Sequence, residues 1–404
     1  MTQRVLFFAE SVTLAHVGRP LALAAALLPQ HQVTIAVDSR YRRFAERAEW
    51  QTVPLHSIAS ATFTRRLAMG SPVYTFDELQ RYVEEDLALI ERTRPDLVVG
   101  DFRLSLSVSA RLSRVPYATL TNAYWSPYCV DRSYPLPALP FTRVLPLTVA
   151  RRIFETFSPV VMRRHCEPLN RLRSVHGLPQ LEDDLRGVYT DADYVLYTDA
   201  HGMFAMNELP PSHGFIGPVS WAPAVAPPVW WQELPADRPI IYATLGSSGR
   251  GALLREVLAG LSGLPVTVIA STAGAPAPRR LPPNARVADY LPGDEAALKA
   301  SVVICNGGSP TSHQALAAGV PVLGIASNMD QFLNMRGIEK AGAGLSMRAD
   351  RFNANSLERA ARELLKSGPA RAAAMALAPL FQCSGTAARF ADFVNTLGKP
   401  RPVR

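Results

Sequence analysis

Cysteine is scarce in this 404-residue sequence: there are four, at positions 129, 166, 305 and 383. None falls into the paired Cys or Cys/His spacing of a zinc site or a disulfide framework, so they read as reduced thiols in or near a core. Long apolar runs are missing as well. The nearest approach is the Ala- and Leu-rich piece 21–28, far short of the roughly 18 residues that a membrane span requires. The apolar run 5–9 is too short for the core of a secretory leader, and Glu10 interrupts it. A transmembrane chain is excluded on these grounds, and a cytoplasmic protein is expected. Runs of basic residues interleaved with aromatics are also absent, which removes nucleic acid from the expected partners. What remains is a folded composition, 48% hydrophobic and 19% charged, with a net charge of +8 that suits an acidic small substrate or an anionic lipid surface.

The first half reads as alternating strands and helices. Residues 4–9 form an opening strand, 20–28 a helix and 32–38 the next strand, a βαβ unit. Ligands bind beyond the carboxyl ends of such strands, so His16, in the first loop or at the head of its helix, stands where chemistry is done. A helix over 77–92 with Asp77 as its N-cap leads to a short buried strand that ends in Asp101, again at a carboxyl end. The strand 117–121 opens into Tyr124, Trp125 and Tyr128, aromatics that either line an apolar acceptor pocket or pack under neighbouring loops. Residues 135–177 are rich in proline, arginine and aliphatics, including Arg151, Arg152, Arg163, Arg164, Arg171 and Arg173. A solvated helix face is the plain reading of this stretch, and peripheral contact with an anionic membrane is the alternative. Asp191 and Asp193 resemble a metal motif but begin the apolar strand 194–197 and are read as structural; no metal is expected.

Residues 215–231, FIGPVSWAPAVAPPVWW, form a proline-dense linker to a second α/β series. In that series the strand 239–245 runs into Gly246, Ser247 and Ser248, a turn small enough for a phosphate to approach. The β-branched run 301–305 leads into Asn306, Gly307, Gly308 and Ser309. Ser309 is the expected N-cap of a short helix with Pro310 in its first turn and Gly319 at its end. A helix that starts behind a glycine turn directs unpaired amides and a dipole end at one point, which makes an anion site. Farther on, Asn355 and Glu358 suggest a capping box for a helix ended by Gly368 and Pro369, and 385–397 supplies a last helix. The resulting division is 1–214, a Rossmann-like domain; 215–231, a linker; 232–380, a second Rossmann-like domain; and 381–404, a terminal helix and tail.

In this order AHVGRP with His16, LVVGDF with Asp101, FIGPV, TLGSSG and the stretch from Tyr290 to Gln331 resemble the nucleotide-sugar glycosyltransferases of the GT-B fold. The family includes the UDP-glycosyltransferases and the bacterial macrolide glycosyltransferases, and the likeness covers nearly the whole chain. It implies an α/β GT-B architecture of two Rossmann-like, doubly wound domains facing a cleft, the first binding the acceptor and the second the nucleotide sugar. It also implies His16 as catalytic base with Asp101 as its partner acid, and Tyr290 stacked on the nucleotide base. Asn306, Gly307, Gly308, Ser309 and Thr311 would cradle the diphosphate, with Gly246, Ser247 and Ser248 on its other side, and Asp330 and Gln331 would bind the sugar hydroxyls.

The sequence departs from the family pattern at two positions. Asn306 replaces the usual histidine, keeping a hydrogen-bond donor without the charge. Gln314 replaces the glutamate by which UDP-using members accept from both ribose hydroxyls, so a TDP donor, which lacks the 2′-hydroxyl, is as reasonable as UDP. The resemblance implies metal-free, inverting transfer of a hexose or deoxyhexose to a hydroxyl of a small, apolar or amphiphilic acceptor. No cofactor beyond the nucleotide-sugar donor is implied, and the basic stretch leaves peripheral placement at the inner membrane face as the alternative to a plain cytoplasmic protein. The alternatives are a nucleotide-sugar-binding partner without transferase activity and an epimerase on the same fold.

Overall fold

The structure, a computed structural model, describes residues 2–246 and 251–397. The chain forms two compact units, one of residues 2–132, 156–219 and 383–397, the other of 133–155 and 220–382. In the first unit the strands are β1 (Arg4–Ala9), β2 (Gln32–Val37), β3 (Gln51–Pro54), β4 (Leu97–Asp101), β5 (Tyr117–Thr121), β6 (Tyr194–Tyr197) and β7 (His213–Phe215). They lie in the order β3-β2-β1-β4-β5-β6-β7, every pair parallel. All five residues of β4 and of β5 are buried, as expected of strands covered by helices on both faces. Leu6, Phe8, Val98, Leu106 and Leu89 form one of its cores. The order reverses between β1 and β4, so the loops after these two strands diverge and leave a crevice between them.

The second unit repeats the plan with β8 (Ile240–Thr244), β9 (Thr267–Ser271), β10 (Ala285–Ala288), β11 (Val302–Cys305), β12 (Val322–Ala326) and β13 (Gly344–Arg348). Their order is β10-β9-β8-β11-β12-β13, again parallel, and it reverses between β8 and β11. Ile241, Val268, Ile304, Leu323 and Leu357 belong to its core.

Two segments lie with a different unit from the one their place in the sequence suggests. Residues 133–155 pack with the second unit rather than the first. The piece is proline-rich and has no ladder to join, so side chains satisfy its backbone: Arg348 donates to Leu136 O (2.7 Å) and Pro137 O (3.0 Å), and Arg351 to Thr142 O (2.7 Å) and Leu145 O (2.6 Å). Asp350 accepts from the Thr142 hydroxyl. The last helix, Thr386–Leu397, returns to the first unit. There Phe390 meets Phe7 (ring centroids 6.0 Å) and Arg389 donates to Ile216 O (2.7 Å).

Several helix ends differ from expectation. The helix Phe76–Thr93 is capped by Thr75, in a capping box with Glu78, and not by Asp77. Asn353, not Asn355, caps Ala354–Lys366. Gly368 and Pro369 open a further helix, Gly368–Phe381, capped by Ser367. Among the described residues no helix is long and apolar enough to cross a membrane.

Candidate active site

In the first unit His16 and Asp101, the two residues expected to be catalytic, lie at the reversal between β1 and β4. The helix Ala15–Ala25 begins just past β1 and carries His16 in its first turn, while Asp101 is the last residue of β4 and fully buried. The His16 Nδ1 lies 2.7 Å from Asp101 Oδ1. A carboxylate only accepts, so Nδ1 carries the proton and the lone pair is left on Nε2. Arg19, one turn further along the same helix, donates Nε to Asp101 Oδ2 (2.7 Å) and Nη2 to Oδ1 (2.7 Å). Its Nη1 reaches Asn122 Oδ1 (3.0 Å) and Thr198 Oγ1 (3.0 Å), the residues that follow β5 and β6. Burial pushes the Asp101 carboxyl up, but Arg19 and then His16 outweigh it and hold the group below the usual carboxylate range. Asp101 is therefore an anion at neutral pH.

The next two residues shape the surroundings of His16. Phe102 has φ of +63°, a left-handed conformation that a bulky residue adopts only when its surroundings impose it. Arg103 supplies the constraint: its fully buried guanidinium pairs with Glu10 (3.0 Å), Asp86 (2.9 Å) and Glu85 (2.9 Å) and sits 3.6 Å over the Tyr82 ring. With Asp101 and Arg103 both fixed, the Phe102 ring lies nearly parallel to the His16 imidazole, centroids 4.9 Å apart and planes 13° apart. Phe63 (5.9 Å), Tyr74 (6.2 Å) and Tyr189 (5.3 Å) surround the same ring.

Of the three aromatics singled out in the sequence, Trp125 joins this cluster through Tyr189, at 4.9 Å edge to face. Tyr124 is buried against Phe204 (5.2 Å) and Tyr128 stands edge-on to His213 (5.1 Å). Arg19 and Phe102 were not anticipated from the sequence. The only signals for them were their places in AHVGRP and LVVGDF, beside the two residues that were.

In the second unit the corresponding reversal brings the ends of β8 and β11 together. Gly246, at φ +61°, lies so close to Asn306 that a Cβ there would stand 3.4 Å from Asn306 Nδ2. Ser247 and Ser248 fall outside the described residues. Asn306 Oδ1 accepts from the Gly308 amide (3.0 Å), and the Gly307 amide donates to Cys305 Sγ (3.3 Å). The turn is fixed from behind by Asn334, whose Nδ2 reaches Gly307 O (2.8 Å) and Ser312 Oγ (2.8 Å). Gly308, rather than Ser309, is the N-cap of the helix Ser309–Ala317, with Pro310 in its first turn. Among the described residues the Ser309 and Thr311 amides are thus left among the head's unpartnered donors, since proline has none.

The other residues singled out in the second unit have definite surroundings. Tyr290 is half-buried with its hydroxyl beside Gly274. Gln314 donates to Trp221 O (3.3 Å) and packs on Gly293. Asp330 and Gln331 lie in the first turn of Met329–Lys340, where Asn328 and Gln331 form a capping box. Gln331 Oε1 is taken by Ser327 N (2.8 Å) and Oγ (3.0 Å), while Nε2 is buried with no hydrogen-bond partner among the described residues.

Residues 255–386 match the family described as erythromycin biosynthesis protein CIII-like, C-terminal domain. The chain is 47% identical over 380 residues to a PGL/p-HBAD biosynthesis glycosyltransferase of Mycobacterium tuberculosis, covering 94% of this chain and 89% of that one. It is 46% identical to a PGL/p-HBAD biosynthesis rhamnosyltransferase of Mycobacterium bovis, covering 94% and 84%. Among solved structures, spinosyn rhamnosyltransferase SpnG complexed with thymidine diphosphate superposes with a TM-score of 0.70 at 21% identity, covering 98% of this chain and 100% of that one, a likeness of fold. With two parallel Rossmann-like sheets of the GT-B fold and relatives this similar along nearly its whole length, the chain belongs to the glycosyltransferase family that these mycobacterial relatives represent and is itself a glycosyltransferase.

Proposed function

We propose that the enzyme transfers a deoxyhexose or hexose from a nucleoside-diphosphate sugar to the hydroxyl of a small, largely apolar aromatic acceptor, with inversion and without a metal. The observation that carries this reading is the 2.7 Å contact of His16 Nδ1 with a buried, ionised Asp101. It leaves Nε2 to take the acceptor proton as the acceptor oxygen forms its bond to the anomeric carbon. The bond from that carbon to the diphosphate oxygen breaks, and its electron pair leaves with the diphosphate. The helix head at Ser309, with Asn306, Gly307, Gly308 and Thr311, stabilises the charge that develops there. The first unit is assigned the acceptor and the second the donor, with Tyr290 against the base, Gly246 across the diphosphate, and Asp330 and Gln331 on the sugar.

An aromatic acceptor suits the ring wall of Phe102, Phe63, Tyr74, Tyr189 and Trp125, and the curated relatives are named for PGL/p-HBAD biosynthesis. A TDP-deoxyhexose donor suits the loss of glutamate at Gln314, the rhamnosyltransferase relative and the thymidine diphosphate held by the structural neighbour. Turnover of TDP-rhamnose and UDP-glucose with a panel of phenols, read by mass spectrometry and anomeric NMR, tests the assignment. Transfer should survive EDTA, and His16→Ala should lower kcat by about 100- to 10,000-fold with donor affinity retained. A retained anomeric configuration, or activity restored only by added magnesium, would overturn the mechanism.

Peripheral contact with an anionic membrane is proposed for the helix Leu147–Val175. It exposes Val149 (44%), Ile153 (37%), Phe157 (58%) and Val160 (54%) along one stripe, with Arg151, Arg152, Arg163 and Arg164 also exposed on this helix. Failure to co-sediment with phosphatidylglycerol vesicles at low salt would remove this part of the reading.

A further inference from the structure

We propose that Arg19 is a positioning residue that completes the proton-accepting group, aiming the Asp101 carboxylate at His16 while sharing its charge. The inference rests on the assignment of His16 as base. Arg19 is buried, and its donors are committed to four oxygens on three strands' ends: both carboxylate oxygens of Asp101, the Asn122 amide oxygen and the Thr198 hydroxyl. A guanidinium held at both ends in this way leaves the carboxylate one orientation, with Oδ1 toward His16 Nδ1.

A purely structural ion pair would stop at that point. Here Arg19 Nη2 and His16 Nδ1 share the same Oδ1, and the two nitrogens are 3.3 Å apart. Two charged groups thus face the imidazole, the Asp101 anion from β4 and the Arg19 cation from its own helix. When His16 accepts the acceptor proton, the new positive charge forms beside a fixed one. Asp101 offsets only part of that repulsion, because its charge already serves the guanidinium. Arg19 therefore gives precise aim at the expense of base strength. That combination suits an acceptor whose hydroxyl gives up its proton readily, with pKa about 10 as for a phenol, over a far less acidic aliphatic hydroxyl.

The test compares Arg19→Lys and Arg19→Gln by the pH dependence of kcat/KM, by thymidine diphosphate affinity, and by NMR titration of the His16 ring in histidine-labelled protein. Arg19→Lys keeps a charge but cannot hold both oxygens, so kcat should fall roughly 10- to 100-fold with the position of the acid limb and the nucleotide affinity unchanged. Arg19→Gln releases the Asp101 charge to His16, so the ring should titrate at least about one pH unit higher, as should the acid limb. The NMR titration reads Arg19 even if the chosen acceptor is wrong, which separates failure here from failure of the proposed reaction. A His16 titration in folded Arg19→Gln that superposes on that of the natural chain overturns the proposal. If Arg19→Gln does not fold, Arg19→Lys decides: a folded lysine variant with undiminished kcat overturns it.

Discussion

Replacement of Gly307 by alanine is the sharpest test of how the glycine turn of the second unit is held. Gly307 sits at φ +79°, and a Cβ there would lie 2.8 Å from Met335 Cγ and 3.4 Å from Gln331 O. Two costs add: about 1–2 kcal/mol for a side chain in the left-handed region, and about 1–3 kcal/mol for forcing atoms into a packed site. Met335 is wholly buried, so it has little room to retreat. Gly342 is the matched control in the same unit. Its φ is +73°, but its Cβ would meet only Ala373 Cβ, at an ordinary 3.8 Å. Gly342→Ala should therefore cost about 1–2 kcal/mol, and Gly307→Ala about 2–5 kcal/mol once the overlap is added. Urea denaturation followed in the second unit measures both, and calorimetric titration with thymidine diphosphate should show affinity lost in Gly307→Ala and kept in Gly342→Ala. A double-mutant cycle with Met335→Ala isolates the overlap, because shortening residue 335 removes the atom that is struck. Equal destabilisation by the two glycine substitutions, or additivity of Gly307→Ala with Met335→Ala, would refute the packing argument.

Phe102→Gly should relieve the left-handed strain yet destabilise the first unit by a few kcal/mol at most, since roughly 3–5 kcal/mol of ring packing is lost against about 1–2 kcal/mol regained. Acceptor KM should rise while nucleotide affinity stays put, and an unchanged KM would remove the ring from the acceptor wall. Burial pushes the Asp350 carboxyl up, but the Arg348 and Thr142 hydrogen bonds outweigh it and hold the group below its ordinary range. Its contribution is accordingly complete above the unfolded value of about 3.9 and lost as pH falls from there through the lower folded value. The stability gap between the natural chain and Asp350→Asn should thus be widest at neutral pH and close only as pH falls below the unfolded value and through the lower folded one; a gap independent of pH would contradict this. Burial raises the Cys305 and Cys166 thiols to about 12, so iodoacetamide at pH 8 should label the partly exposed Cys383 and spare these two until urea is added, as peptide mass spectrometry would show.

The alternation of strands and helices was open to reading because parallel strands buried on both faces appear as short β-branched runs, as in β4 and β11. His16 and the Asn306–Gly308 turn could be found because the doubly wound rule puts ligand loops at carboxyl ends, and both fall where the strand order reverses. Helix starts were less legible, since competing caps stand two residues apart. Thr75 with Glu78 and Asp77 with Gln80 both fit the box, as do Asn353 with Ser356 and Asn355 with Glu358 in looser form. Packing of the preceding residues chooses between them. Arg19 gave little signal beyond its place in AHVGRP: an arginine at the edge of an alanine-rich helix reads as a surface residue until the sheet brings in Asp101. The placement of 133–155 was beyond periodicity altogether, because its backbone is satisfied by Arg348 and Arg351 two hundred positions later.

The path of the chain has a practical bearing on recombining glycosyltransferases. A hybrid joined once, in the proline-dense stretch 215–231, would take 133–155 from one parent and its anchoring arginines from the other. It would also part the helix Thr386–Leu397 from Ile216 and Phe7. Such hybrids should be soluble only when both excursions travel with the half they complete. The same weave imposes an order on synthesis. Residues 133–155 emerge from the ribosome well before 327–351, so this proline-rich piece waits unpaired until the far end of the second sheet is made, and the first sheet gains its closing helix last of all.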